Sequence, residues 1–323
     1  MSPRQVVVPQ TGGPEVLTVE EGPVPTPGPG QVRVNVAASG VNFIDVYHRT
    51  GLYPRPLPFV AGIEGAGTVE SVGPEVSVLA EGDRVAWSSV PGSYAEAVIA
   101  PADQLVRIPD GVDDRTAAAA MLQGMTAHYL THGTREARPG DTALVHAAAG
   151  GTGRLLVQML VRAGVRVIGT CSTSEKERLV RAAGAEQVVR YTECDFVEET
   201  RRFSGGRGVD VVYDSVGCST FEGSLACLRA RGLLVLFGQS SGSVPPFDLA
   251  RLTPGSFFVT RPSLAHYSAD REEREMRASA VFGAIRAGEL EVRIGAEFAL
   301  CDAADAHRAL EGRGTTGKLL LVP

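Results

Sequence analysis

The stretch His146-Ala-Ala-Ala-Gly-Gly-Thr-Gly153 limits the possible folds of this chain more than any other. Before it runs Asp141-Thr-Ala-Leu-Val145, short and apolar, as a strand buried on both faces of a parallel sheet has to be. After it, Leu155, Leu156, Met159, Leu160 and Val161 recur at helical spacing up to Gly164, a residue suited to ending a helix. The glycines therefore occupy a strand-to-helix turn. Their core, Ala148-x-Gly150-x-x-Gly153, is one alanine away from the G-x-G-x-x-G pattern. Without Cβ atoms, such a turn lets a pyrophosphate reach bare N–H groups at a helix N-terminus, where the dipole supplies about half a positive charge. Alone, the motif fits a plain tight turn as well as a dinucleotide site, so its surroundings decide.

From Asp141 onward the chain alternates between strand and helix. Strands are predicted at Thr142–His146, Val165–Thr170, Gln187–Tyr191, Val209–Asp214, Leu233–Phe237 and Phe257–Thr260, with helices between them such as Ser174–Ala183 and Thr220–Arg229. This is the rhythm of a doubly wound parallel sheet, and the glycine turn follows its first strand, where that fold takes a dinucleotide. Residues 1–124 read differently. Val32–Val36, Gly67–Val72 and Asp83–Trp87 are short alternating runs set between glycines and prolines, including a loop at Pro23–Gly30, and they predict a compact β domain. A helix is expected from Asp113 toward His132. Beyond Pro262, Arg271–Arg286 reads as an amphipathic helix with a charged, solvated start, and Thr316–Val322 as a strand that rejoins the N-terminal domain. With 323 residues, the chain suits two domains: 1–124 with 262–323, and 125–261.

A net charge of -6 argues against nucleic acid as the main partner. No apolar run approaches the roughly 18 residues that span a bilayer. The N-terminus lacks a signal-peptide pattern, so a cytoplasmic location with no membrane partner is expected. The five cysteines are odd in number, widely spaced and without a C-x-x-C pair, which predicts isolated reduced thiols. His128 and His132 stand four apart on a helix and could share a metal, but no third ligand is near in sequence.

An NAD-binding sheet usually carries an acid at the end of its second strand, about 20 residues beyond the glycines. Here Ile168-Gly-Thr-Cys-Ser-Thr-Ser174 offers none, and Lys176 follows, beside Glu175. A lysine with neighbouring hydroxyls welcomes a 2′-phosphate, each charge-assisted bond being worth about 1.5–3 kcal/mol. Ser172 and Lys176 thus point to NADPH; the competing reading is that Ser172–Ser174 caps the next helix.

Several blocks in order carry a resemblance over the whole chain: Val41-Asn-Phe-Ile-Asp45, Gly51-Leu-Tyr-Pro54, Gly92-Ser-Tyr-Ala-Glu96, His146–Gly153, Val212-Tyr-Asp-Ser-Val-Gly217, Phe237-Gly-Gln-Ser-Ser-Gly242 and Val259-Thr-Arg-Pro-Ser263. The chain resembles the zinc-free, zeta-crystallin-like quinone oxidoreductases of the medium-chain dehydrogenase/reductase superfamily. The resemblance implies an α/β protein: a GroES-like β domain from both termini plus a Rossmann doubly wound parallel-sheet domain that binds NADPH, in a homodimer whose sheets pair. Zinc enzymes of the superfamily have a ligand cysteine where this chain has Asn42 and a ligand histidine where it has Ile63, next to Glu64. The loop of four structural cysteines is missing too, so no metal is expected, and without a Lewis acid alcohol oxidation is disfavoured. A small quinone or other conjugated carbonyl, which takes hydride readily, is the implied partner.

By matching position, Asn42 holds the nicotinamide ribose, and Tyr47 and Tyr53 orient the acceptor, unless these rings only pack. Thr126 approaches the carboxamide. Gly150, Gly151, Thr152 and Gly153 line the pyrophosphate, and Tyr191 lies near the 2′-phosphate. Ser215, Phe237, Gly238 and Ser240 end strands at the cofactor crevice. Lys318 either reaches the nicotinamide end or is a surface lysine. Two rival functions stay open: an NADPH-dependent enone or enoyl-thioester reductase, and an NADPH-binding structural or regulatory protein with little turnover.

Overall fold

The computed structural model describes residues 2–24 and 26–323; Met1, and Pro25 of the expected Pro23–Gly30 loop, lie outside the described residues. The chain divides into two compact units, Met1–Met125 with Ser268–Pro323, and Thr126–Tyr267.

The first unit contains β1 (Arg4–Val8), β2 (Thr18–Glu21), β3 (Gln31–Val41), α1 (Phe43–Thr50), β4 (Phe59–Val60), β5 (Gly65–Val72), β6 (Arg84–Trp87), β7 (Ala97–Pro101) and β8 (Val106–Arg107). α2 (Asp114–Tyr129) follows in sequence. β3 is the long strand of this unit and pairs antiparallel with both β5 and β7. Its alternating Val32, Val34 and Val36 turn inward onto Val69, Val85, Trp87 and Leu105, the period-two pattern that a one-faced sheet requires. At its end Asn42 starts α1, and Gly51, at φ 80°, stops that helix in the left-handed region open to glycine.

The second unit holds β9 (Thr142–Val145), α3 (Gly151–Arg162), β10 (Arg166–Cys171), α4 (Ser174–Ala182), β11 (Gln187–Arg190), α5 (Phe196–Phe203), β12 (Val209–Asp214), α6 (Phe221–Cys227), β13 (Leu228–Leu236), β14 (Phe258–Thr260) and the short α7 (Leu264–Tyr267). Its sheet runs β11-β10-β9-β12-β13-β14, parallel throughout. The order reverses at β9, between β10 and β12, and that opens the crevice where such sheets bind ligands. The helix expected over Thr220–Arg229 ends earlier. Leu228 pairs with Val209 and is buried, and the Arg229 guanidinium ion-pairs with Asp210, so sheet pairing overrides the helical character of this segment.

The remaining chain returns to the first unit as α8 (Arg271–Arg286), β15 (Ile294–Ala299), α9 (Ala303–Glu311) and β16 (Lys318–Val322). β16 sits between β15 and β3 in a seven-stranded sheet, so the tail does rejoin the N-terminal strands. Two details differ from expectation. The division falls at Ser268 and not at Pro262, because Tyr267 stacks on Tyr129 with ring centroids 4.5 Å apart and holds α7 in the second unit. The charged start of α8 is not all solvated: Arg274 and Arg277 are buried, Arg274 donating to the Ser268 and Asp103 carbonyls and Arg277 pairing with Glu273.

Candidate functional site

In the second unit, β9 hands over to α3 through a turn in which Ala147 takes φ 49°. A Cβ on Gly153 would strike the Ala147 carbonyl oxygen and lie 2.9 Å from Ala148 Cα, so only glycine lets α3 start this close to the strand. α3 has no side-chain cap and no acid in its first turn. By contrast, α4 and α8 are capped by Thr173 and Asp270 and carry acids there. The first N–H groups of α3, at Gly151, Thr152 and Gly153, are thus left for an outside acceptor, which suits a pyrophosphate.

His146 braces the turn from below. Ser224 Oγ donates to Asp214 Oδ2 at 2.8 Å and has no second proton to give. His146 Nε2 must therefore donate to Ser224 Oγ (3.1 Å), and its Nδ1 accepts from Thr170 Oγ1 (3.1 Å). Burial lowers the His146 pKa and keeps the ring neutral, as this pattern demands. Asp214 also accepts from the N–H groups of Val216 and Gly217, which tightens the loop after β12. There Ser240 N–H donates to Ser215 O at 3.2 Å, Phe237 N–H donates to Asp214 O at 2.9 Å, and a Cβ on Gly238 would lie 2.6 Å from Ser215 O. Ser215, Phe237, Gly238 and Ser240 thus line up beside the switch point.

The ends of β10 and β11 bring the backbones at Ser172 and Tyr191 side by side, and Lys176 follows on the first turn of α4. Tyr191 N–H donates to Cys171 O at 3.1 Å, and Thr192 Oγ1 donates to Ser172 O at 2.9 Å. Within Ser172–Ser174 the cap is Thr173, whose hydroxyl accepts from Lys176 N–H; the Ser172 hydroxyl is not the cap. Tyr191 is 49% exposed, open to a ligand at this edge. Thr126 begins this unit on α2 and is buried. The rings of His128 and His132 stack 4.3 Å apart, and His132 Nδ1 lies 3.1 Å from the His128 carbonyl, a packing arrangement in place of a metal pair.

The first unit holds a buried polar cluster. Lys318 Nζ donates to Asn42 Oδ1 at 2.6 Å and ion-pairs with Glu64; Lys318 is 1% and Glu64 0% exposed. Lys318 is therefore no surface lysine. Asn42 Nδ2 donates to Glu64 Oε2 (2.7 Å) and to Gly40 O (3.2 Å), and Glu64 Oε1 accepts from Leu122 N–H (2.6 Å). Asn42 N–H donates to Asp45 Oδ2 at 2.8 Å. Tyr94 OH donates to the same oxygen at 3.0 Å, so His307 Nε2 must donate to the Tyr94 oxygen, and His307 Nδ1 accepts from Arg49 Nη1, each at 3.3 Å. Arg49 in turn pairs with Glu311. Burial, reinforced by Arg49, lowers His307 to about 3, so the ring is neutral. Burial also raises Asp45 to about 7, against the opposing help of Asn42 N–H, Tyr94 OH and Lys318; its Oδ1 has no partner. Nearby, Tyr47 and Tyr53 meet edge to face at 5.2 Å, and Tyr53 N–H donates to Tyr47 O.

Sequence reasoning named Asn42 and Lys318 but not the contact between them. It passed over Asp45, Tyr94 and His307, and it used Glu64 only as a landmark. One signal was available: an acid in Ala61-Gly-Ile-Glu-Gly-Ala66 has no polar neighbour and needs a cation from elsewhere. With the apolar Ile63 next to Glu64 in sequence and an ammonium already between Asn42 and Glu64, this donor set does not fit zinc.

Residues 28–110 match the family model for the alcohol dehydrogenase GroES-like domain, and residues 151–277 match the one described as zinc-binding dehydrogenase. The chain is 46% identical to a quinone oxidoreductase of Pseudomonas aeruginosa, over 97% of each chain. It is 43% identical to a 2-haloacrylate reductase of a Burkholderia species, over 98% of each. The structure of the Escherichia coli quinone oxidoreductase complexed with NADPH superposes with a TM-score of 0.97 at 41% identity, covering 99% of this chain and all of the other. Two domain matches in order and these full-length likenesses agree with the crevice at the strand ends: the chain belongs to the quinone oxidoreductase family of the medium-chain dehydrogenases/reductases.

Proposed function

We propose that the protein is an NADPH-dependent, zinc-independent quinone oxidoreductase. The observation that carries this reading is the uncapped α3 N-terminus with Gly153 against Ala147, with Ser172 and Tyr191 just beyond the neighbouring strand ends and Lys176 on the first turn of α4, where an acid would repel a 2′-phosphate. NADPH supplies one hydride, and with one proton from water or a tyrosine this converts a quinone to its hydroquinone. Gly150, Gly151, Thr152 and Gly153 hold the pyrophosphate, and Ser215, Phe237, Gly238 and Ser240 line the crevice. Thr126 meets the carboxamide. Asn42 accepts from the nicotinamide ribose, since both of its Nδ2 hydrogens are already donated. Tyr47 and Tyr53 orient the acceptor carbonyl. A hydroquinone anion is delocalised, so catalysis is mainly alignment and exclusion of water.

The likeness to a 2-haloacrylate reductase favours a second acceptor class, an activated carbon–carbon double bond. NADPH oxidation with p-benzoquinone, phenanthrenequinone, an α,β-unsaturated ketone, crotonyl-CoA and 2-chloroacrylate separates the two. Turnover of quinones at kcat/KM at least about ten-fold above the others supports the main reading. Preference for the double bond replaces it, and tight NADPH binding without turnover leaves a binding protein. Equal kcat/KM for Tyr47→Phe, Tyr53→Phe and the parent protein removes the tyrosines from catalysis.

A homodimer completes the proposal. β14 is an edge strand with Phe258 59% and Val259 38% exposed, and pairing with the same edge of a second copy would cover them. A cytosolic setting accords with five free cysteines. Among the described residues no helix is long and apolar enough to cross a membrane.

A further inference from the structure

The cluster of Asn42, Glu64 and Lys318 is closed on itself in a way that decides what Asn42 can offer. Its carboxamide has a single sensible orientation. Turned by half a rotation, the NH2 group would face the Lys318 ammonium, and the oxygen would face the Glu64 carboxylate. β3 runs so close that a Cβ on Gly40 would strike Glu64 Oε2 and lie 2.7 Å from Lys318 Cε. The backbone thus reserves room for a carboxylate and an ammonium. One carboxylate oxygen and one amide oxygen make a seat for a cation, and the chain fills it with its own side chain.

We propose that Lys318 is a positioning residue. It is a built-in cation that fixes Asn42 Oδ1 as an acceptor for a ribose hydroxyl at the nicotinamide end, and it acts through Asn42 without touching the cofactor. The proposal rests on the reading of Asn42 given above and changes the role expected for Lys318 itself. Without the ammonium, Asn42 loses the donor that fixes its oxygen, and Glu64 is left buried with a bare charge.

A double-mutant cycle on NADPH affinity, read by fluorescence titration of the reduced nicotinamide, tests this. Because Lys318→Met alone strands Glu64, it is paired with Glu64→Gln, so that no buried charge is left unbalanced and thermal melting can confirm the fold. This neutral pair is expected to bind NADPH about ten-fold more weakly, as is Asn42→Ala. Combining all three substitutions should cost no more than either change alone, because both act on one contact. Parent-like affinity in a folded neutral pair overturns the proposal. Losses that multiply also overturn it, since they mean that Lys318 reaches the cofactor directly. If Asn42→Ala itself binds NADPH as tightly as the parent, the reading of Asn42 falls as well, which separates that failure from the other two.

Discussion

Asp45 makes the pH dependence of the first unit open to measurement. Its carboxyl is buried with one oxygen bonded to Asn42 N–H and Tyr94 OH and the other to nothing. Its pKa rises from 3.8 to about 7. A folded-state pKa above the unfolded one means that the native state holds the extra proton between these values. Stability from this group is therefore complete below about pH 4 and is lost as pH climbs to about 7. At 1.36 kcal/mol per unit the whole loss is roughly 4 kcal/mol, of which about 3 falls between about pH 5 and pH 8. For a unit of this size, that corresponds to a melting temperature lower by about 6–12 °C at pH 8 than at pH 5 from this group alone. Asp45→Asn imitates the neutral acid: its oxygen can accept the same two bonds, and its NH2 stands where the acid's OH would. The variant melts with a constant offset from its unbonded NH2 but without this slope, so it gains on the parent as pH rises. Calorimetry of both proteins from about pH 5 to pH 8 measures the difference. A gap independent of pH, or one widening in the parent's favour toward alkaline pH, refutes the reasoning. Tyr94, His307, Arg49, Glu64 and Lys318 surround the group and are common to both proteins, so the comparison isolates Asp45.

Other outcomes follow from the same structure. Gly153→Ala drives a Cβ into the Ala147 carbonyl and should raise the Kd for NADPH about ten-fold or more, with roughly 1–3 kcal/mol of stability lost; an unchanged Kd would show that the turn can yield. Lys176→Ala should raise KM for NADPH by about ten-fold while NADH is little affected, and equal effects on both defeat the 2′-phosphate assignment. Phe258→Glu should give monomers in light scattering at micromolar concentration, and a persisting dimer excludes β14 as the interface.

The parallel sheet was easy to read because strands buried on both faces must be continuous apolar runs, and Gly150 and Gly153 mark its first turn. The end of α6 was harder, since Leu228 and Arg229 suit a helix and only pairing with Val209 and Asp210 makes them strand. Arg274 and Arg277 looked solvated because a charge pattern does not reveal which carbonyl or carboxylate waits across the fold. The cluster around Asn42 was least legible. Its members come from Gly40, Asn42, Asp45, Glu64, Tyr94, His307 and Lys318, scattered along the chain, and the apolar surroundings of Glu64 do not say which cation it meets. The burial of Glu64 becomes sensible only once β16 is placed beside β3.

The placing of β16 has a consequence for the order in which the protein is made. It is the last strand in chain order, yet it lies inside its sheet, between β15 and β3. The second unit is continuous in sequence and can finish folding as it leaves the ribosome. The first cannot. Until β16 arrives, the Ser39–Val41 end of β3 lacks a neighbour on the side that β7 covers farther back, and Glu64 has no ammonium to neutralise it. Assembly of the first unit must therefore be the late step, governed by contacts some 250 residues apart, such as that of Lys318 with Glu64. In that interval the unpaired end of β3, and not the completed crevice, is the part of the molecule most exposed to wrong pairing.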